Sequence, residues 1–369
     1  MIYKKFKDAN ISALGLGCMR FPKADGEGGV DLEATERLID LAIEKGINYF
    51  DTAWVYHDGH SEEIVGRFLG KYPRESYYLA TKFPGFSEEM FGTAREKFET
   101  QLARCATDYF DFYLFHNVSD GNVDNYLNDE KYGDYSYFVE QKRLGRIRYL
   151  GFSTHGSLET MRRFLDAYGE NLDFCQIQLN WLDWELQNAK AKVELLKQYG
   201  IPVWVMEPLR GGRLASLDSE LAAMLPADQT PARLAFRFLQ TIPEVTVVLS
   251  GMSSPEQIEE NALIFSEDAP LNRAQWSALQ AVAERMMSKN TLHCTACRYC
   301  TSGCPSSLDI PEIIKLYNRY RFTGKPVPAD SIVEGRDPSA CIGCGACEGV
   351  CPQNIKISEM MADFAQYIK

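Results

Sequence analysis

Two groups of residues in this chain have the types and spacing that chemistry requires. The first is a pair of cysteine runs, Cys294, Cys297, Cys300 and Cys304 before Pro305, and Cys341, Cys344, Cys347 and Cys351 before Pro352. Three thiolates so spaced can wrap three corners of an iron-sulfur cubane, while a fourth, displaced and followed by proline, reaches elsewhere. Paired C-x2-C can also hold tetrahedral zinc, although zinc has no use for the tripled spacing and the cysteine-proline ending. The second group is polar: Asp51 and Tyr56 in Phe50-Asp51-Thr52-Ala53-Trp54-Val55-Tyr56, Lys82 in Leu79-Ala80-Thr81-Lys82, and His116 in Tyr113-Leu114-Phe115-His116. A phenol, with a pKa of about 10, is a poor proton donor at neutral pH unless a neighbouring ammonium favours its phenolate. Lys82 can supply that charge, Asp51 can hold Lys82 protonated, and His116 can donate a hydrogen bond to a substrate carbonyl.

The cysteine spacing resembles that of the two-cluster [4Fe-4S] ferredoxins, and the resemblance implies crossed ligand sets. Cys294, Cys297 and Cys300 would pair with Cys351, and Cys341, Cys344 and Cys347 with Cys304. Between the runs, Ile310-Pro311-Glu312-Ile313-Ile314-Lys315-Leu316-Tyr317 reads as helical, which favours a mainly helical two-cluster ferredoxin-like domain. Cys18, Cys105 and Cys175 fall outside the pattern and read as small buried hydrophobes.

The polar group needs a frame that brings distant residues to one place. From about residue 14 to 265, short β-branched or aromatic runs alternate with amphipathic helical stretches, as parallel βα units require. The expected strands are Leu14 to Gly17, Tyr49 to Asp51, Tyr78 to Lys82, Asp111 to His116, Tyr149 to Ser153, Cys175 to Leu179, Val203 to Glu207 and Thr246 to Ser250. Helices run from Asp31, an N-cap residue, to a stop at Gly46, from Ser61 to Gly70 by the same design, and from Ser254, where Ser254 caps and Gln257 can close a capping box. Eight such units predict a (β/α)8 TIM barrel with its site at the C-terminal ends of the strands. An open dinucleotide-binding sheet would need a third glycine after Gly15-Leu16-Gly17, and it is missing. A further helix, Arg273 to Met287, leads through Ser288-Lys289-Asn290 to the cysteine region. The expected domains are therefore residues 1–287 and 288–369.

Asp-Thr-Ala-x-x-Tyr, a lysine after the third strand and a histidine after the fourth resemble the aldo-keto reductase family over roughly residues 1 to 265. Gly145 to Ser153 and Pro255 to Asn261 are similar to that family's fifth-strand entry and last barrel helix. The resemblance implies nicotinamide-dependent reduction of an aldehyde or ketone, or the reverse alcohol oxidation. It also carries cofactor contacts onto this chain: Ser153, Thr154 and Gln176 toward the carboxamide, Met206 beside the nicotinamide, Leu209, Gly211 and Gly212 at the pyrophosphate, and Glu260 and Asn261 at the adenine. Met206 stands where the family usually has an aromatic ring, and Thr154 replaces a common asparagine. The lysine and arginine that clamp a 2'-phosphate align with Gly251 and Gln257, so NADPH preference should be weakened and NADH use favoured.

Composition narrows the rest. The 369 residues include 45% hydrophobic and 24% charged types, enough for one large core and a satellite. A net charge of -12 argues against nucleic-acid or anionic-membrane partners. No apolar run approaches a membrane span, and the lysine-containing N-terminus lacks a signal-like core, so the expectation is a cytoplasmic protein with reduced thiols. The expected partners are a small carbonyl or alcohol substrate and a redox protein that exchanges electrons with the clusters. Hydride moves two electrons and a cluster one, so either a flavin is bound without a sequence signature, or the clusters are structural, sensory or electron-storing. A redox-sensing or regulatory nucleotide-binding protein is the alternative class.

Overall fold

The computed structural model describes residues 1–24, 29–288, 291–323, 327, 332–333 and 335–368. Lys289 and Asn290 of the expected connection lie outside the described residues. The chain divides into two compact units, Met1–Pro208 with Ala235–Leu271, and Leu209–Leu234 with Asn272–Lys369.

The first unit is built on ten strands: β1 (Tyr3–Phe6), β2 (Ala9–Ser12), β3 (Leu14–Gly17), β4 (Tyr49–Asp51), β5 (Tyr78–Phe83), β6 (Phe110–Val118), β7 (Ile147–Thr154), β8 (Phe174–Gln178), β9 (Val203–Met206) and β10 (Val245–Ser250). Strands β3 to β10 close a barrel in sequence order, β10 pairing with β3, and every pairing is parallel. All eight expected strands are present within one or two residues of their reading. The strands are buried on both faces, which is why they read as apolar runs rather than alternations. Tyr49, Phe112, Tyr149, Phe174 and Trp204 fill the barrel interior.

The antiparallel hairpin β1-β2 was not expected. It delivers Phe6 into the same interior cluster, with ring centroids 4.9 Å from Tyr149 and 5.0 Å from Trp204. Asp31 caps the first helix (Leu32–Glu44) by accepting from Ala34 N at 2.9 Å, as read from the sequence. Ser61 does not repeat that design. His60 occupies the cap position of Ser61–Leu69, and the Ser61 hydroxyl instead links Thr52 Oγ1 and the Cys18 carbonyl at 2.9 and 3.0 Å. Ser254 caps its helix, but the Gln257 side chain accepts from Ser253 N, one residue earlier than a capping box requires.

In the second unit, the helix Ile310–Thr323 confirms the helical reading between the cysteine runs. Ile310, Ile313, Ile314 and Tyr317, spaced along one face, pack with Ile355, Ile357, Met360, Met361 and Phe364. Cys300 and Cys347 are buried within this cluster.

Candidate active site and cluster-binding site

Asp51 ends β4, Lys82 lies near the end of β5 and His116 near the end of β6, while Tyr56 follows in the loop after β4. That loop is fixed by its own geometry. His57 and Asp58 take left-handed conformations, and the His57 ring stacks on Phe21 and accepts from Phe21 N at 3.2 Å. Tyr56 is thereby turned inward, where only 8% of its surface stays exposed. The fully buried Lys82 Nζ donates to Asp51 Oδ1 at 2.7 Å, to the Thr52 carbonyl at 2.7 Å and to the Tyr56 hydroxyl at 3.4 Å. The His116 ring stands edge-on to Tyr56 at 6.2 Å, with Nδ1 buried and without a hydrogen-bond partner. The structure thus gathers all four residues at one barrel mouth.

The electrostatics differ from the simple expectation in one respect. Burial pushes the Tyr56 phenol well above its ordinary value, and the Asp51 charge adds to this. The Lys82 ammonium does not overcome that, because its charge is shared with Asp51 at 2.7 Å. The phenol is therefore held in its acid form, and Lys82 is placed to receive charge on the oxygen once the proton leaves. Burial lowers the His116 imidazole well below its ordinary value, with the Lys82 charge second, so His116 is a neutral hydrogen-bonding group. Burial raises the Asp51 carboxyl while Lys82 pulls it down.

Of the cofactor positions carried by resemblance, Gln176 fits a carboxamide well: its Oε1 is buried without a partner, while its Nε2 reaches only the Met206 sulfur at 3.7 Å. An unpaired buried amide oxygen is costly unless a ligand N–H meets it. The Ser153 hydroxyl accepts from Asn117 N at 2.9 Å and keeps its own proton to give. Thr154 is used differently, since its hydroxyl donates to the Val118 carbonyl and accepts from Gly156 N. Asn261 is buried and reaches Ser250 Oγ at 3.3 Å, while Glu260 and Gln257 lie at the surface. Leu209, Gly211 and Gly212 belong to the second unit. Arg20 was missed: its aliphatic stem lies 3.0 to 3.1 Å from where a Cβ on Gly251 would sit, a contact between the loop after β3 and the end of β10 that spacing could not reveal.

Trp181 is buried with an unpartnered indole N–H, whereas Trp54 is sandwiched by Lys97 and Arg104 and Trp184 packs on Phe238. Phe86, partly exposed, stands edge-on to His116 at 4.8 Å. The polar stretch from Asn117 to Tyr137 is neither a loose cover nor an irregular connection. It contains the helices Val123–Leu127 and Asp129–Tyr132 and the start of Asp134–Arg143, tied down by Tyr126 donating to the His116 carbonyl at 2.8 Å.

In the second unit the eight motif cysteines surround two cavities. One is lined by Cys294, Cys297, Cys300 and Cys351. The other is lined by Cys304, Cys341, Cys344 and Cys347. The cysteines group as the resemblance implied. Among the described residues no three His, Cys, Asp or Glu converge on a point that one ion could occupy. Thiols on the walls of a cavity suit a cubane, whose irons each need one corner ligand, better than a single tetrahedral zinc. Cys18, Cys105 and Cys175 are buried in the first unit, their thiols pushed up by burial.

Comparison with known proteins follows the same division. The model of the 4Fe-4S dicluster domain matches residues 293–355, and that of the aldo/keto reductase family matches residues 13–284. A probable aldo-keto reductase 1 of Glycine max is 31% identical over 210 residues, covering 55% of this chain but only 57% of its own length. The NADH-specific methylglyoxal reductase of Escherichia coli is 27% identical, covering 74% of this chain and 97% of its own. The holo form of aldo-keto reductase AKR11C1 from Bacillus halodurans superposes with a TM-score of 0.64 at 26% identity, covering 76% of this chain and 96% of that one. No helix among the described residues is long and apolar enough to cross a membrane. The barrel, its gathered strand-end residues and the extent of the family match agree, and the chain belongs to the aldo/keto reductase family of oxidoreductases, with an iron-sulfur domain added.

Proposed function

We propose that residues 1–287 form a cytoplasmic, nicotinamide-dependent carbonyl reductase and residues 288–369 hold two [4Fe-4S] clusters. The observation that carries the first part is the buried Lys82 ammonium bonded at once to Asp51 and to the Tyr56 hydroxyl. When bound, a nicotinamide supplies hydride to the carbonyl carbon. Tyr56 gives its phenolic proton to the carbonyl oxygen, and Lys82 stabilises the phenolate left behind. His116, neutral, holds the carbonyl by a hydrogen bond, and Asp51 keeps Lys82 charged and in place. Ser153 and Gln176 orient the carboxamide. In the oxidative direction each residue runs its step backwards.

NADH should serve at least as well as NADPH, because Gly251 and Gln257 offer no charge to a 2'-phosphate. The similarity to an NADH-specific methylglyoxal reductase supports that reading. The clusters, once bound, take up and release single electrons, which suits exchange with a redox protein or storage. Full-length protein purified anaerobically and titrated with both nucleotides, using methylglyoxal at the head of a panel of aldehydes, tests the assignment. Comparable or better kcat/KM with NADH is expected; a preference for NADPH of about tenfold or more, about 1.4 kcal/mol, would contradict it.

A further inference from the structure

The two cysteine runs belong to a repeat longer than the ligands themselves. Cys304-Pro305-Ser306-Ser307-Leu308-Asp309-Ile310 aligns with Cys351-Pro352-Gln353-Asn354-Ile355-Lys356-Ile357, sharing the cysteine, the proline, an aliphatic fifth residue and the final isoleucine. Ser307 and Asn354 share a left-handed φ of 51°, and each segment opens into a helix, Ile310–Thr323 or Ile357–Phe364. The backbone therefore treats the two halves alike.

The surroundings do not. Arg210 is fully buried, and its guanidinium donates to the His293 carbonyl at 2.8 Å and to Gln353 Oε1 at 2.9 Å. It ties together the two segments that deliver Cys294 and Cys351, and Gln353 is replaced by Ser306 in the other half of the repeat. Arg213 donates to the Leu292 carbonyl at 3.1 Å and the Cys294 carbonyl at 3.4 Å. Arg298 lines the cavity itself, ion-paired to Asp309 at 2.8 Å, while Arg210 and Arg213 stand behind the backbone that forms its wall. The second cavity is walled, beside its thiols, by uncharged side chains such as Leu308, Ile310, Ile342 and Met361.

We propose that Arg210 and Arg213 make the two clusters unequal in potential, so that the cluster held by Cys294, Cys297, Cys300 and Cys351 is reduced first. The inference rests on the two-cluster reading. Adding one electron adds one negative charge to a cluster, and a guanidinium, which stays charged at any working pH, attracts that charge with little screening where it is buried. Hydration at the exposed Cys344 works in the opposite direction by stabilising charge on the second cluster. It reaches one corner of four, whereas two guanidinium groups bond the backbone that carries the first.

Iron and acid-labile sulfide are first counted on the full chain purified anaerobically: about eight of each per chain are needed, and fewer would sink the two-cluster reading rather than this one. Reduction by dithionite is then followed by EPR against potential. Two separate one-electron midpoints are expected, and a single shared midpoint in the unaltered protein would overturn the proposal whatever the variants do. In Arg213→Gln the upper midpoint should fall by roughly a tenfold change in equilibrium constant, about 59 mV for one electron, while the lower stays. Arg213→Lys should restore most of it. A fall in the lower midpoint, or no change in either, would equally overturn the assignment.

Discussion

At the scale of single residues, burial governs the barrel site more than charge pairing does. Tyr56, Lys82 and His116 are each almost without solvent contact, and the polar atoms left unpaired there include Asp51 Oδ2, His116 Nδ1 and Gln176 Oε1. The same burial has a thermodynamic consequence at His155, in the loop after β7, which burial lowers to about 4, with Lys192 adding to the effect. Its folded value lies below the ordinary 6.5, so the unfolded chain binds more protons in that range. The stability His155 contributes is present above 6.5 and is lost as pH falls toward 4. Relative to His155→Gln, the unaltered protein should lose up to about 3 kcal/mol between those limits, read as a shrinking difference in denaturant midpoint. A pH-independent difference would show that the imidazole titrates normally. The sequence revealed the four catalytic candidates because each stands at a strand end or just beyond it in a recognisable run. It could not reveal that the phenol is pushed up, since desolvation depends on what packs above it.

Elements were legible where a repeat governs them. The eight barrel strands declared themselves as apolar runs between helices, while β1-β2 did not, because four-residue strands around Lys7 and Asp8 carry too little pattern. The short helices after β6 were hidden for a different reason: their Asp, Asn and Tyr look like a loop, yet they cap and anchor helical turns, as when the Asn128 side chain accepts from Lys131 N. Packing of one barrel helix on the end of the next requires a glycine. Gly66 lies inside the helix Ser61–Leu69, where alanine would ordinarily be favoured by about 1 kcal/mol. A Cβ there would come within 2.5 Å of the Cys105 backbone, which cannot step aside as a side-chain tip can. Gly66→Ala should therefore destabilise by roughly 1–3 kcal/mol in chemical denaturation. A stabilised variant would show that this helix is not seated as described.

Across the whole molecule, the two units rest on different sources of stability. The barrel unit has its own aromatic interior, whereas the second unit has a smaller apolar cluster in which Cys300 and Cys347 are themselves buried. Stripping iron with a chelator under reducing conditions should raise hydrogen exchange across residues 291–368 while protection in β3 to β10 persists. Unchanged protection in the helix Ile310–Thr323 would show that the clusters contribute nothing to folding. The grouping of the eight cysteines around two cavities was legible from their spacing and its resemblance to the two-cluster ferredoxins. Arg210 was not, because Gly211-Gly212 beside it reads as a turn and its carbonyl partner is His293, 83 residues on.

In the proposed reaction Tyr56 delivers the proton with Lys82 behind it. The direct measurement is aldehyde reduction by Tyr56→Phe and Lys82→Met, with nucleotide binding followed by fluorescence on the same samples. Loss of kcat by about 10²–10⁴ in each, with nucleotide affinity nearly unchanged, is the expected result. Tyr56→Phe turning over at close to the unaltered rate would contradict the account.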